Sequence, residues 1–256
     1  MQSLRLALAL LTRIPVRLTT PVTAADHGRA VAAYPFVGAL LGGVLMGLAW
    51  LAVHSGLPVW PVAIVLVTVQ VVLTGALHLD GLADSADAWL GGQGDRERTL
   101  RIMKDPACGP AGVCALLLVL LGRCAALATL LTLATELTTT LVLMPLLLAP
   151  ILGRSACAAL FLSLPYVRAG GLGQDAAATL PRQRVSLMLA LAALATVLLG
   201  GWVGALMLGI TLVVFLLARR QMQQKLGGFT GDTAGALVEI TETLVLLGAA
   251  LWLGRG

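Results

Sequence analysis

The segment His78-Leu79-Asp80-Gly81-Leu82-Ala83-Asp84-Ser85-Ala86-Asp87 sets three carboxylates between long apolar stretches. If the helix entering from Pro61 to Leu77 continues through it, Asp80, Asp84 and Asp87 at i, i+4 and i+7 fall within a narrow arc of one face. At a separation of about 6 Å and an effective dielectric near 20, each ionised pair repels by roughly 3 kcal/mol. Protons or cations must offset that repulsion. A hard divalent ion such as Mg²⁺ suits carboxylate oxygens and keeps positions for water and phosphate, so the cluster reads as a metal and phosphate site. A solvated acidic loop between membrane helices is the alternative for the same spacing. The small residues Gly81, Ala83, Ser85 and Ala86 let a ligand or a neighbouring helix approach closely.

Other polar groups cluster nearby in sequence. After the aspartates, Arg96, Arg98, Arg101 and Lys104 are candidates to contact phosphate oxygens, Arg by two-pronged hydrogen bonds and Lys as a point charge. A short solvated helix with Glu97 and Arg101 as an i, i+4 pair explains several of them equally well. Lys104-Asp105-Pro106 then leads through Gly109 and Gly112 into the next apolar run. A second polar turn, Gly227 to Ala236, carries Thr230, Gly231, Asp232 and Thr233. Its glycines would let backbone N–H groups face a phosphate while Asp232 adds a carboxylate to the metal, or the turn is a capped helix start. Glu239, Glu242, Arg123 and Arg154 fall inside apolar runs, where an ionisable side chain implies a partner or a function. Arg154 reads either as a partner for substrate phosphate or as half of an interior ion pair. His78 stands about 160° around an ideal helix from Asp80, so a shared role requires local unwinding.

The elements that must hold these groups are membrane helices. With 256 residues, 59% of them hydrophobic and 11% charged, and a mean hydropathy of +0.96, the chain lies far outside the soluble range. The length allows about seven crossings and no separate soluble domain. We expect an all-α polytopic bundle forming one domain over 1–256. Spans are expected near Val31–Val53, Pro58–Leu77, Ala111–Leu133, Leu137–Tyr166, Val185–Gly200, Trp202–Ala218 and Gly235–Leu253. The fifth and sixth are short enough that a re-entrant pair would serve as well. Residues 1–30 read as an interfacial segment, since Arg13 and Pro15 interrupt its short apolar run, and 78–110 and 219–236 read as cytoplasmic motif loops. With the N-terminus inside, all but Arg123, Arg154 and Arg255 of the 17 Lys and Arg residues fall on inner segments, as cytoplasmic flanks require. The net charge of +5 therefore follows membrane topology and points to lipid and anionic substrates, not nucleic acid. The four cysteines lack metal-ligand spacing, and no P-loop or dinucleotide fingerprint is present.

Taken together, His78-Leu-Asp80-Gly81-Leu-Ala-Asp84-Ser-Ala-Asp87, Ile102-Met103-Lys104-Asp105 with Gly109 and Gly112, and Gly227-Gly228-Phe-Thr-Gly231-Asp232 with Gly235-Ala236 resemble the cobalamin synthase family, the adenosylcobinamide-GDP ribazoletransferases. Leu11-Thr12-Arg13-Ile14-Pro15 and Tyr34-Pro35-Phe36-Val37-Gly38 add to the likeness, which runs over nearly the whole chain. The resemblance implies transfer of the cobinamide phosphoryl group from adenosylcobinamide-GDP to α-ribazole or its 5'-phosphate, with release of GMP and a Mg²⁺ requirement. It also implies the bacterial inner membrane, with the site facing the cytoplasm. On it, Asp80, Asp84, Asp87 and Asp232 are the expected metal ligands, and Asp87, with Asp84, the expected catalytic base. His78, Arg96, Arg101, Lys104, Asp105, Arg154, Thr230 and Gly231 are the expected substrate contacts. A homo-oligomer is compatible with the sequence. The CDP-alcohol phosphotransferases of phospholipid synthesis share the aspartate logic. Their signature has Ala-Arg where this chain has Ala83-Asp84, and it ends in a Gly-x-x-x-Asp-x-x-x-Asp that this chain lacks. An ion-coupled transporter would also bury carboxylates and Arg154, but it needs a polar path to both sides.

Overall fold

The computed structural model describes residues 2–18, 20–168 and 170–255, with nothing stated of the Leu172 side chain. Short helices α1 (Gln2–Leu11) and α2 (Ala24–Val31) precede α3 (Tyr34–His54) and α4 (Val59–Thr74). The aspartate segment is α5 (Leu77–Gly91), followed by α6 (Arg96–Ile102), α7 (Pro110–Glu136), α8 (Thr139–Ser163), α9 (Leu172–Ala178), α10 (Arg182–Leu226) and α11 (Gly231–Leu253). The architecture is all-α and polytopic. By length and apolarity five of these helices suffice to cross a membrane, and six if α4 and α5 count as one bent span.

The 45-residue α10 is two antiparallel arms. Gly201 sits at φ 54°, ψ −132°, a conformation that side chains with a Cβ rarely adopt. Arg182 donates from its guanidinium to the Leu162 carbonyl at 2.8 Å, and Arg219 to the adjacent Ser163 carbonyl at 3.3 Å. In a straight helix those two arginines would stand about 55 Å apart at 1.5 Å rise per residue. The chain therefore doubles back at Gly201, with Gly204 against the Thr196 carbonyl and Ala192, Thr196, Met207 and Thr211 buried along the arms. This hairpin occupies the stretch of the expected fifth and sixth spans.

Helix α8 forms the axis, buried over most of its length and packed by α3, α10 and α11. Helix α3 reaches it through Gly38 and Gly42, where a Cβ would run into the carbonyls of Pro150 and Leu147. Such backbone approach through small residues is how membrane helices gain packing in a solvent as apolar as themselves. Two sequence expectations are corrected. The helix from α4 does not continue through the aspartates: Gly75 and Ala76 both take left-handed φ, and the axis turns by 90°. The regions 78–110 and 219–236 are not loops but mostly helix, namely α5, α6, the end of α10 and the start of α11.

Candidate active site

Helix α5 starts afresh after the Gly75-Ala76 turn, and the i, i+4, i+7 spacing then puts Asp80, Asp84 and Asp87 on one side of it. Its first turns cross those of α11 at glycines. A Cβ on Gly81 would come within 2.7 Å of the Asp232 carbonyl, and one on Gly235 within 3.2 Å of the His78 Cα. Close approach of the two backbones is what brings Asp232 to the α5 aspartates. Asp84 lies within electrostatic range of Asp80, Asp232, Arg168 and Asp87.

Arg168 is the cation that sequence reading missed as a site residue. Its Nη1 donates to both oxygens of Asp232, at 2.8 and 3.1 Å. Its position follows from backbone pairing. The Val167 N–H donates to the Phe229 carbonyl at 3.0 Å and the Phe229 N–H to the Pro165 carbonyl at 2.9 Å, so the segment after α8 is tied to the turn before α11. The only signal in the sequence was that Arg168 falls on an inner segment.

The aspartates differ in what holds them. Asp87 accepts from the Gly109 N–H at 2.7 Å and the Gly112 N–H at 2.9 Å, sitting at the start of α7, where backbone amides are free and the helix dipole favours an anion. A Cβ at either glycine would lie 2.5 Å from that carboxylate, which explains the two glycines in the motif. Among the described residues, Asp80 and Asp84 make no ion pair, and no three His, Cys, Asp or Glu side chains converge tightly enough to hold a metal by themselves.

A cavity of about 440 Å³ opens beside this cluster, and its lining includes His78, Asp80, Arg168, Gly231 and Asp232. His78 reaches it without unwinding, because it lies in the first turn of α5, buried, with Nδ1 3.5 Å from Arg154 Nη2. His27, Tyr34, Cys157 and Phe161 also line the cavity; of these the sequence motifs touched only Tyr34, in Tyr34-Pro35-Phe36.

Other expected substrate contacts have other partners. Arg154 is 1% exposed and ion-paired with Glu242, which also accepts from Gln70, while Arg123 pairs with Glu239 at 2.8 Å. This network of four ions and Gln70 is buried inside the bundle, so Arg154 is an interior ion-pair partner, the structural one of its two readings. Arg96 donates from Nε to the Leu226 carbonyl at 2.7 Å, pinning α6 to the end of α10. Thr230 caps α11, exchanging hydrogen bonds with Thr233. Arg101, Lys104 and Asp105 are exposed on α6 and the following turn, and none lines the cavity; Asp105 accepts from the Ala107 N–H.

Comparison with known proteins agrees over the full length. Residues 3–250 match the family described as cobalamin-5-phosphate synthase. The chain is 51% identical over 255 residues to the adenosylcobinamide-GDP ribazoletransferase of Stutzerimonas stutzeri (strain A1501), covering 100% of both chains. It is 50% identical to the protein of that name in Pseudomonas putida (strain W619), covering 96% of this chain and 97% of the relative. With the one in Pseudomonas paraeruginosa (strain DSM 24068 / PA7) it shares 51% identity over 98% of each. No solved structure matches. Identity at this level over whole chains, with the aspartate helix and the Asp232 turn brought together as one site, means that the chain belongs to the cobalamin-5-phosphate synthase family.

Proposed function

We propose that this protein is an enzyme of cobalamin assembly that transfers the cobinamide phosphoryl group of adenosylcobinamide-GDP to α-ribazole or its 5'-phosphate, releasing GMP. The observation that carries this reading is the set of full-length relatives named for that transfer. The cavity supports it, since its polar wall joins carboxylates to one guanidinium at a single end of the bundle. That end also carries Arg96, Arg182, Arg219 and Lys225, and an excess of Arg and Lys marks the cytoplasmic side of a bacterial inner membrane.

The acceptor hydroxyl oxygen attacks the phosphorus that bears cobinamide, the bond from that phosphorus to the bridging oxygen breaks, and GMP departs with the electron pair. Asp84 takes the hydroxyl proton. It is preferred to Asp87 because both oxygens of Asp87 are engaged by amides, whereas Asp84 is partly exposed beside Asp80 and Asp232. Arg168 holds Asp232 and offers the remaining positive charge to a phosphate oxygen. His78 faces the same cavity as a hydrogen-bonding group.

The donor set fits Mg²⁺: Asp80 and Asp84 are carboxylates without ion-pair partners among the described residues, too few to enclose an ion, which suits a hard cation that keeps waters and takes substrate phosphate oxygens. When bound there, Mg²⁺ would neutralise charge developing on the diphosphate and the departing GMP. Release of GMP by purified protein in detergent, without a membrane gradient, tests the reading. We expect EDTA to abolish it and Mg²⁺ to restore it. No GMP with either Mg²⁺ or Mn²⁺ supplied would overturn the assignment, and transport of a solute without turnover would favour a carrier.

A further inference from the structure

The cavity lining is of two chemical kinds, and the apolar kind is not used by the chemistry above. Besides the charged residues Asp80, Arg168 and Asp232, the lining includes Leu11, Tyr34, Cys157, Phe161 and Phe229, all members of one buried apolar cluster. Its rings interlock edge to face: Phe161 meets Tyr34 at 6.5 Å and Phe229 at 4.9 Å between centroids, and Phe229 meets Tyr166 at 5.3 Å. His27 also lines the cavity, and its Nδ1 is buried with no hydrogen-bond partner among the described residues. A matching ligand is flat and apolar over most of its surface, carries one hydrogen-bonding atom for His27, and is polar at the end that reaches Asp80.

At about 440 Å³ the space is at the small end of ligand pockets, of a size for a nucleoside and not for a corrin macrocycle. Two nucleosides enter the proposed reaction. Guanine carries donors and acceptors along its edges, several of which this wall would leave unpaired, and buried unpaired polar groups cost affinity. A benzimidazole has one free ring nitrogen and an otherwise hydrocarbon edge. It packs against aromatic rings, and the free nitrogen accepts from His27 in its Nδ1–H tautomer.

Resting on the function proposed above, we infer that the wall of Tyr34, Phe161, Phe229 and His27 is the acceptor-base subsite. It seats the flat base of the ribazole so that the ribose hydroxyl is delivered to the Asp80 side, while the guanosine of the donor lies outside this cavity.

Steady-state kinetics of GMP release separates the two substrates. Tyr34→Leu removes a ring and keeps an apolar side chain. We expect it to raise the KM for α-ribazole about tenfold and to leave the KM for adenosylcobinamide-GDP within twofold, with His27→Ala giving a smaller rise of the same kind. Free 5,6-dimethylbenzimidazole should inhibit the unaltered protein competitively against α-ribazole and not against the donor, a readout that stands even if a variant does not fold. A rise confined to the donor KM, or competition against the donor, would assign the wall to guanosine and overturn the inference. Absence of GMP release by the unaltered protein would instead bring down the function reading, and this inference with it.

Discussion

Two acidic regions share helix α11 and do opposite things. In the middle of the bundle, Glu239 and Glu242 of α11 face Arg123 and Arg154, with Gln70 and Thr243 completing the hydrogen bonds. Every one of the four ions is at most 3% exposed, and the charges cancel. At the end of the bundle, Asp80, Asp84 and Asp232 gather beside a single guanidinium, and the first two have no ion-pair partner among the described residues. The difference teaches how to tell structural from chemical carboxylates in an apolar chain. Where cations match anions one for one away from water, the charges hold helices together. Where anions outnumber cations beside a cavity, a cation or a proton must arrive from outside, and that marks a candidate reaction site.

The sharpest way to break this comparison is to unbalance the interior network. Glu242→Ala leaves Arg154 and Arg123 with one carboxylate between them, and breaking a buried pair costs about 3–5 kcal/mol. We expect loss of the folded protein, read as a collapsed yield and a lowered unfolding midpoint in detergent; a wild-type midpoint would mean that the network is not structural. Asp84→Asn should do the reverse. GMP release should fall by about 10² to 10⁴, the range for loss of a general base, while stability stays within about 0.5 kcal/mol of the parent. Turnover near wild type would remove Asp84 from the mechanism.

Asp87 sits between the two cases, a carboxylate at the site end that is nonetheless fully engaged. Asp87→Ala should cost roughly 1 kcal/mol through loss of the cap on α7, with a partial fall in activity. An activity loss as deep as that of Asp84→Asn, at unchanged stability, would return the base role to Asp87. The smallest effect is expected from Lys104→Ala. Its side chain is exposed and outside the cavity, so stability should shift by less than about 0.5 kcal/mol and the donor KM by less than threefold. A large rise in that KM would show that α6 folds over the diphosphate during turnover.

Hydropathy and turn residues alone determined the class and most limits of the long apolar helices, because a helix in lipid must satisfy its own backbone and stay apolar for about 20 residues. They also marked Asp80, Asp84, Asp87 and Asp232 as candidates for one site, since spacing along a helix and charge in an apolar chain are local facts. Tertiary structure alone decided the partners. It bent the chain at Gly75-Ala76, engaged Asp87 with the Gly109 and Gly112 amides, paired Arg154 with Glu242, and brought Arg168 to Asp232 through a backbone bridge. None of these is written in periodicity, because each joins groups on different elements, and which groups meet depends on where packed backbones allow two side chains to approach.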